Sequence, residues 1–123
     1  MIKTLLVEDD EILLKSLSYF LKSKGYQVTG YDNGLDAMEF LKSNEDDVEI
    51  VITDLNLPFA GGQLLIRTLR QTNQNIPIIV LTSSGVESTE LEVFDLGADD
   101  FLSKPFSPAV LLRRMEKLLV KQS

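Results

Sequence analysis

The sequence contains neither cysteine nor histidine. Without cysteine the chain cannot form a disulfide, and this criterion leaves the redox compartment open. Without either residue it lacks the usual zinc ligands, so a bound metal ion would be held by hard oxygen donors, which suit Mg²⁺ or Mn²⁺. The composition therefore favours a magnesium or manganese site over a zinc site.

A long apolar segment and an excess of positive charge are also missing. No hydrophobic run is long enough to span a bilayer, and Met1–Thr4 lead into a predicted strand without a signal peptide. The 12 Lys and Arg residues against 19 Asp and Glu residues give a net charge of −7, which disfavours nucleic-acid binding because phosphates require a concentrated basic face. We therefore expect a cytoplasmic domain that binds neither membrane nor nucleic acid.

The size and pattern of the chain indicate one domain. With 123 residues, 44% of them hydrophobic and 25% charged, we expect a single globular domain spanning residues 1–123. Short apolar stretches alternate with helical patterns. The predicted strands are Lys3–Val7, Tyr26–Tyr31, Ile50–Leu55, Ile76–Thr82 and Asp100–Leu102. The first predicted helix is capped by Asp10 and ends at Lys24-Gly25, and the second is capped by Asn33. The third covers Leu64–Leu69 after a turn at Pro58–Gly62, and the fourth covers about Glu87–Leu96. The fifth runs from Ser107-Pro108 through Leu119.

Five such units predict an α/β fold, a three-layer doubly wound parallel sheet of five strands with helices on both faces. The flavodoxin-like strand order 2-1-3-4-5 would place the first and third strands side by side, where the order reverses. Sheets of this kind bind ligands outside the carboxyl ends of their strands at that point. Residues that end these two strands are therefore candidate site residues.

Carboxylates end both of these strands. The run Ile50–Leu55 carries Asp54 near its end. The first strand is followed directly by Glu8, Asp9 and Asp10. Neighbouring carboxylates repel and raise one another's pKa unless a cation lies among them. We therefore expect Glu8, Asp9 and Asp54 to form a cation site, whereas Asp10 is better explained as a helix cap.

Two further polar residues follow later strands on the same edge. Thr82 closes the fourth strand, and Lys104 follows the fifth. A cation and Lys104 would neutralise the oxygens of a phosphoryl group, Thr82 could donate to one of them, and Asp54 would attack phosphorus. The product would be an acyl phosphate, a labile group that suits a timed signal.

Five motifs carry a resemblance to a known family. They are Leu6-Val7-Glu8-Asp9-Asp10, Asp54 with Pro58 and Gly62, Thr82-Ser83, Gly97-Ala98, and Lys104-Pro105-Phe106. With these motifs in register the chain resembles, from end to end, bacterial response-regulator receiver domains, which have a CheY-like fold. Each motif alone is weakly specific, but the set of five is highly specific.

The resemblance implies roles for the residues of the acidic pocket. Asp54 would be the phosphoacceptor, and the phosphoryl group would come from a phosphohistidine of a sensor histidine kinase or a histidine phosphotransfer protein. The donor would be another molecule because this chain has no histidine. Mg²⁺ (or Mn²⁺) would be bound directly by Asp9 and Asp54, through water by Glu8, and by the backbone carbonyl of Asn56.

The resemblance also implies a switch. Lys104 would pair with the phosphoryl group, and the peptide bond between Lys104 and Pro105 would be cis. Thr82 would be the switch hydroxyl, and Phe101 the switch aromatic that turns inward behind it. Phosphorylation would bias a two-state surface formed by the fourth helix, the fifth strand and the fifth helix.

The C-terminal part of the chain indicates the output. It resembles receivers of the OmpR/PhoB winged-helix transcription-factor class, which form homodimers through the fourth helix, fifth strand and fifth helix. Asp100 and Arg114 would form one charge pair of that dimer face. Val110 and Glu90 depart from the class, which usually has Glu at the first position and a basic residue at the second. The chain would be the receiver of a longer transcription regulator or a single-domain regulator.

Other functions are open to the same residues. A phosphorylation-independent pseudo-receiver would act only as an interaction module, but such modules usually lack one of the acidic or lysine positions present here. A haloacid-dehalogenase-type phosphatase also uses an Asp nucleophile with Mg²⁺. Its acid-base Asp lies two residues after the nucleophile, where this chain has Asn56. A flavin-binding protein of the same fold would need a phosphate loop where Glu8-Asp9-Asp10 would repel the phosphate.

We predict that the chain does not hydrolyse p-nitrophenyl phosphate in the presence of Mg²⁺, because Asn56 cannot serve as the acid-base group of a phosphatase. Release of p-nitrophenolate, followed by absorbance, is the measurement. Steady turnover that disappears in Asp54→Asn would favour the phosphatase instead.

Overall fold

The computed structural model describes residues 1–44, 47–58, 61–72, 75–83 and 87–122, with residues 87–89, 121 and 122 described by their backbone only. Its strands are β1 (Ile2–Val7), β2 (Tyr26–Tyr31), β3 (Ile50–Asp54), β4 (Ile78–Thr82) and β5 (Asp100–Ser103). Its helices are α1 (Glu11–Ser23), α2 (Gly34–Asn44), α3 (Gly62–Thr72), α4 (Glu87–Leu96) and α5 (Pro108–Gln122). Among the described residues no helix has the length and apolar character needed to cross a membrane.

The strands form one parallel sheet in the order β2-β1-β3-β4-β5, which confirms the predicted flavodoxin-like fold. β1 lies between β2 and β3, with Val7 opposite Thr53 in the register of β1 and β3. The residues that follow these two positions, Glu8 and Asp54, therefore emerge side by side at the carboxyl edge of the sheet.

A hydrophobic cluster covers each face of the sheet. One face packs against α2, α3 and α4, whose buried members include Ala37, Leu65 and Val93. The other packs against α1 and α5 through residues such as Leu17 and Met115. All residues of β3 and β4 are buried, as expected for central strands covered on both sides. The edge strands β2 and β5 are only partly buried.

Side-chain caps fix the helices that begin near the carboxyl edge. Asp10 Oδ1 accepts hydrogen bonds from the N–H groups of Ile12 (3.0 Å) and Leu13 (3.1 Å), which confirms the predicted cap of α1. Asn33 Oδ1 accepts one from the N–H of Asp36 (2.8 Å), at the start of α2. These bonds satisfy N–H groups that the helices themselves leave unpaired.

The predicted starts of one helix and one strand were wrong by two residues each. α3 begins at Gly62, which the sequence had placed in a turn, and β4 begins at Ile78 rather than Ile76. The carbonyl of Ile76 accepts a hydrogen bond from Arg70 Nη1 of α3 at 2.7 Å, so Ile76 is held by a helix side chain before β4 begins. Residues 59 and 60 of the predicted turn lie outside the described residues.

Arg70 of α3 also holds the carboxyl end of α4. Its Nε donates to the carbonyl of Gly97 at 2.9 Å, and its Nη2 donates to Asp99 Oδ2 at the same distance. Asp99 Oδ2 in turn accepts the N–H of Ile78 at 2.8 Å. Gly97 has a φ of +112°, which a residue with a side chain rarely adopts. The turn between α4 and β5 is therefore anchored to α3 and β4.

Gly62 lets the first turn of α3 lie against the end of β3. A Cβ atom at this position would collide with the carbonyl oxygen of Asp54 and lie 2.9 Å from Leu55 Cα. The N–H of Gly62 donates to the carbonyl of Leu55 at 3.0 Å. The backbone that carries Asp54 is thus fixed by direct contact with α3, which only glycine allows.

We predict that Gly62→Ala lowers the free energy of unfolding by about 1–3 kcal/mol, because the added methyl group overpacks rigid backbone. Gly61→Ala is the matched control, since its Cβ would lie 3.0 Å from the movable end of the Gln63 side chain and at an ordinary contact distance of 3.8 Å from the carbonyl oxygen of Leu55. Urea denaturation of both variants measures the difference. Equal stability of the two would contradict the close contact at Gly62.

Candidate functional site

Asp54 lies at the end of β3 with its carboxylate held at both oxygens. The residue is only 5% exposed. Its Oδ1 accepts a hydrogen bond from the N–H of Asn56 at 3.1 Å, and its Oδ2 accepts one from Lys104 Nζ at 2.7 Å. The side chain is therefore oriented by the backbone that follows β3 and by the loop after β5.

Glu8 is the most deeply buried acid of the site. Its exposure is 0%, and its backbone N–H extends the β1–β2 ladder by donating to the carbonyl of Tyr31 at 3.0 Å. Oε2 accepts a hydrogen bond from the N–H of Asp10 at 3.0 Å. Oε1 lies 2.6 Å from Lys104 Nζ in an ion pair, and among the described residues it has no hydrogen-bond partner.

Oxygen atoms of Glu8, Asp9 and Asp54 lie within 4.8 Å of one another. Glu8 and Asp54 are buried, whereas Asp9 is exposed at the mouth of the pocket. Lys104 is the one cation that contacts two of these carboxylates in the described part of the chain. Three acids with one lysine leave an excess of negative charge, and the donors are hard oxygens. The pocket therefore suits a divalent cation such as Mg²⁺.

The charges of the pocket shift the pKa values of its members. Burial raises the pKa of the Glu8 carboxyl from 4.5 to about 7, with Asp54 adding to the rise, while the contacts with Lys104 and the Asp10 N–H oppose it. Burial alone would lower the pKa of the Lys104 amine, but its contacts with Asp54 and Glu8 outweigh burial and raise it. Lys104 therefore stays charged at neutral pH, whereas Glu8 is near its titration point.

Thr82 ends β4 beside the acidic pocket. The residue is 1% exposed, and its carbonyl accepts a hydrogen bond from the N–H of Lys104 at 2.7 Å. The neighbouring carbonyl of Leu81 accepts the N–H of Leu55 at 3.0 Å. The Lys104–Pro105 peptide bond is cis. The ends of β3, β4 and β5 are thus tied together where the sequence had predicted Asp54, Thr82 and Lys104 to meet.

Three other predicted residues lie on the β5 side, away from the carboxylates. Phe101 packs at the margin of the core beneath α4, and its ring meets that of Phe94 edge-to-face with the centroids 5.6 Å apart. Asp100 and Arg114, predicted as a charge pair between copies, form an ion pair of 2.8 Å within one chain. They join β5 to α5.

Sequence reasoning missed two contacts of this region. It did not find that Lys104 bridges Glu8 as well as Asp54, because the direction of a lysine side chain is not encoded in a local pattern. It also missed Phe94, the ring partner of Phe101 on α4. The signal was available, since Phe94 is one of few large apolar residues in a helix with a weak hydrophobic pattern.

Comparisons with known proteins give a consistent result. The family model for the response regulator receiver domain matches residues 4–116. The response regulator MprA of Mycobacterium sp. (strain KMS) is 36% identical over 122 residues, covering 99% of this chain and 52% of MprA. The response regulator SaeR of Staphylococcus epidermidis is 33% identical over 119 residues, covering 97% of this chain and 51% of SaeR. The chain therefore spans about half the length of these curated relatives.

Solved structures share the whole architecture. The receiver domain of the Francisella response regulator 1452 superposes with a TM-score of 0.93 at 26% identity, and the match covers 100% of both chains. The fold of this chain is thus found over its whole length in a known receiver domain.

We predict that, without divalent cations, the folded state loses stability as the pH rises from about 4.5 to about 7. The folded-state pKa of Glu8 is raised, so over this range the unfolded chain releases its Glu8 proton before the folded chain does. Glu8→Gln should flatten the dependence, because the amide does not titrate. Melting temperatures across this range, taken in EDTA for both proteins, provide the test. A profile that Glu8→Gln leaves unchanged would show that Glu8 does not titrate in this range.

Proposed function

The chain belongs to the family of response regulator receiver domains, and we propose that its Asp54 accepts a phosphoryl group from the phosphohistidine of a sensor histidine kinase or histidine phosphotransfer protein. As a receiver domain of a two-component system it takes part in signalling by phosphorylation. The sequence contains no histidine, so the donor histidine would lie outside these 123 residues.

One observation carries the proposal. The amine of Lys104 lies 2.7 Å from Asp54 Oδ2 and 2.6 Å from Glu8 Oε1, at the carboxyl edge of the sheet. A purely structural ion pair would need one acid, whereas this pocket gathers three acids, two of which contact the lysine. The surplus of carboxylates is explained by a site that holds a divalent cation next to a nucleophilic oxygen.

In the proposed reaction an oxygen of Asp54 attacks phosphorus, and the bond between phosphorus and the donor imidazole nitrogen breaks. The donor nitrogen keeps the electron pair of the broken bond while the other ring nitrogen carries a proton, so the products are an acyl phosphate on Asp54 and a neutral donor histidine. Lys104 pairs with the transferred phosphoryl oxygens and keeps the carboxylate oriented before transfer. Because the pKa of Lys104 is raised, its positive charge is present at neutral pH.

The acidic pocket fits Mg²⁺ (or Mn²⁺). Asp9 and Asp54 would hold the ion directly, Glu8 through water, and Asn56 through its backbone carbonyl. Glu8, Asp9 and Asp54 bring three carboxylates together where Lys104 pairs with two of them, and this surplus of negative charge supports a further positive group there. When bound, the cation supplies positive charge that offsets the charge of the incoming phosphoryl group.

The response to phosphorylation would use Thr82 and Phe101. The Thr82 hydroxyl would donate a hydrogen bond to the phosphoryl group, and Phe101 would move behind it. The contact between Phe101 and Phe94 links that movement to α4. The surface of α4, β5 and α5 would thereby change and control an output.

We propose that this output is transcription regulation in the cytoplasm. The curated relatives are about twice as long as this chain and are response regulators by name. In the proposed protein the receiver forms a homodimer through α4, β5 and α5 on phosphorylation, while the receiver itself contacts no DNA or membrane. Its chemistry is limited to its own phosphorylation and dephosphorylation.

We predict that incubation with acetyl phosphate and Mg²⁺ adds one phosphoryl group per chain, because the small donor can reach Asp54 directly. Intact mass spectrometry measures the adduct. It should be absent with EDTA and in Asp54→Asn, which keeps the size of the side chain but removes the nucleophilic oxygen.

An adduct that persists in Asp54→Asn would place the reaction on another residue. If no adduct forms, binding of Mg²⁺ and of beryllofluoride is the second measurement, because some receivers accept phosphoryl groups only from their protein donor. Failure to bind either would favour a pseudo-receiver over the proposed phosphoacceptor.

A further inference from the structure

β2 lies at one end of the sheet, and of the described strands only β1 pairs with it. The carbonyl of Tyr31 accepts the N–H of Glu8, the residue after β1. Backbone groups of successive residues in a strand point to opposite sides. Those of Tyr31 therefore point towards β1, whereas those of Val28 and Gly30 point outwards. We call this outward side, with its N–H and C=O groups, the open side of β2.

The open side of β2 lacks the features that usually keep an edge strand from pairing with another chain. Charged residues, proline and bulges are the common ones. β2 contains no charged residue and no proline, and its register with β1 runs unbroken through all six residues. The other edge strand, β5, is four residues long and begins with Asp100, which pairs with Arg114. Of the two edges, β2 is thus the longer and the less protected.

Gly30 leaves space between the open side of β2 and α1. The residue is exposed, and a Cβ atom there would lie 3.2 Å from Leu14 Cδ1 and 3.7 Å from Ser18 Oγ. Glycine inside a strand often marks a bulge or a place where another backbone approaches closely. The unbroken register with β1 excludes a bulge. Gly30 therefore gives a second backbone access to the open side of β2.

A cleft between α1 and the open side of β2, which we call the α1 cleft, is basic. It is lined by Leu14, Lys15, Ser18, Tyr19, Lys22 and Gly30. Lys15 forms an exposed ion pair of 3.0 Å with Glu11, and such pairs contribute little. Lys22 forms no ion pair within the described part of the chain. The α1 cleft therefore offers positive charge on a chain whose net charge is −7.

A second cleft, between α2 and β2, is polar and close to neutral. Its charged residues, Lys3 and Asp47, pair with each other at 3.3 Å. The two clefts lie on opposite faces of the sheet, because α1 and α2 do. A strand added to β2 would direct alternate side chains to opposite faces, and hence into a basic and a neutral cleft. The rest of the α2 lining includes Gln27, Thr29, Phe40 and Asn44.

We propose that the open side of β2 binds an extended acidic segment of another protein, which adds to the sheet as a further strand. The backbone of that segment pairs with the outward N–H and C=O groups of Val28 and Gly30. Its acidic side chains lie on the face towards α1, where Lys15 and Lys22 supply the complementary charge. The inference does not depend on phosphorylation of Asp54.

The charges favour such a segment over a second copy of this chain. Two copies joined at β2 by a two-fold axis would pair these strands antiparallel, which sets α1 of one copy beside α1 of the other. The lysines of one α1 cleft would then lie near the same lysines of its partner. A basic segment would meet the same repulsion, whereas an acidic segment meets attraction.

Peptide titrations followed by NMR test the strand addition. The probe is a peptide of about ten alternating Glu and Thr residues, which places every Glu on one face when extended. We expect it to shift the amide resonances of Val28 and Gly30 and to slow their hydrogen exchange, because their N–H groups gain partners. N-methylation of every Glu or of every Thr removes the N–H groups of one peptide edge. One of these two methylated peptides should lose binding and the other should keep it.

Charge reversal tests the role of the α1 cleft. We expect Lys22→Glu to weaken binding of the Glu/Thr peptide about fivefold or more at low salt, and less at high salt. Lys42→Glu is the matched control, because it makes the same charge change in a groove between α2 and α3, away from β2. It should leave binding close to that of the wild-type chain. A Lys/Thr peptide of the same length should not bind.

Four results would overturn the inference. The Glu/Thr peptide does not bind at millimolar concentration, or both methylated peptides still bind, which shows that the peptide does not pair with β2. Lys22→Glu and Lys42→Glu weaken binding equally, which shows only the effect of net charge. Without peptide or beryllofluoride, the amide resonances of Val28 and Gly30 shift with protein concentration, which assigns the open side of β2 to a second copy.

Discussion

The ion pairs of Lys104 with Glu8 and Asp54 are the interaction on which the site depends. Two buried carboxylates at the end of neighbouring strands would repel each other strongly without a cation between them. Lys104 supplies that cation from a third strand end, at 2.6 and 2.7 Å from the two acids. One positive charge does not balance three carboxylates, and this imbalance makes the pocket suitable for a divalent ion and a phosphoryl group.

The parallel sheet makes this arrangement possible. Its order brings the carboxyl ends of β1 and β3 together, and the hydrogen bonds of Leu55 to Leu81 and of Lys104 to Thr82 align the next two strand ends with them. Gly62 allows α3 to support the backbone of Asp54 at contact distance. Arg70 anchors the far end of α4, so the helix next to Phe101 is fixed at one end by hydrogen bonds.

Most of the fold could be predicted from local patterns, because buried strands, capped helices and turn residues each leave a sequence signature. Asp10 and Asn33 were identified as caps for this reason. The predicted start of α3 was wrong because glycine usually indicates a turn. Here Gly62 is required because the first turn of α3 packs closely against the backbone of Asp54 and Leu55. The pairing of Asp100 and Arg114 within one chain could not be predicted, because a charge pair between copies and one within a chain have the same sequence pattern.

The sequence by itself determined the fold class, the strand order and the residue types of the site, because hydrophobic periodicity and the family motifs are local properties of the chain. It also determined that Asp54 lies at the carboxyl end of a strand and that these 123 residues include no histidine. Only the tertiary structure decided that Lys104 forms ion pairs with both Glu8 and Asp54 and that burial raises the pKa of Glu8 to about 7. It also decided that Phe94 lies against Phe101. These features depend on distances between segments far apart in the chain and on the exclusion of water, which no local pattern records.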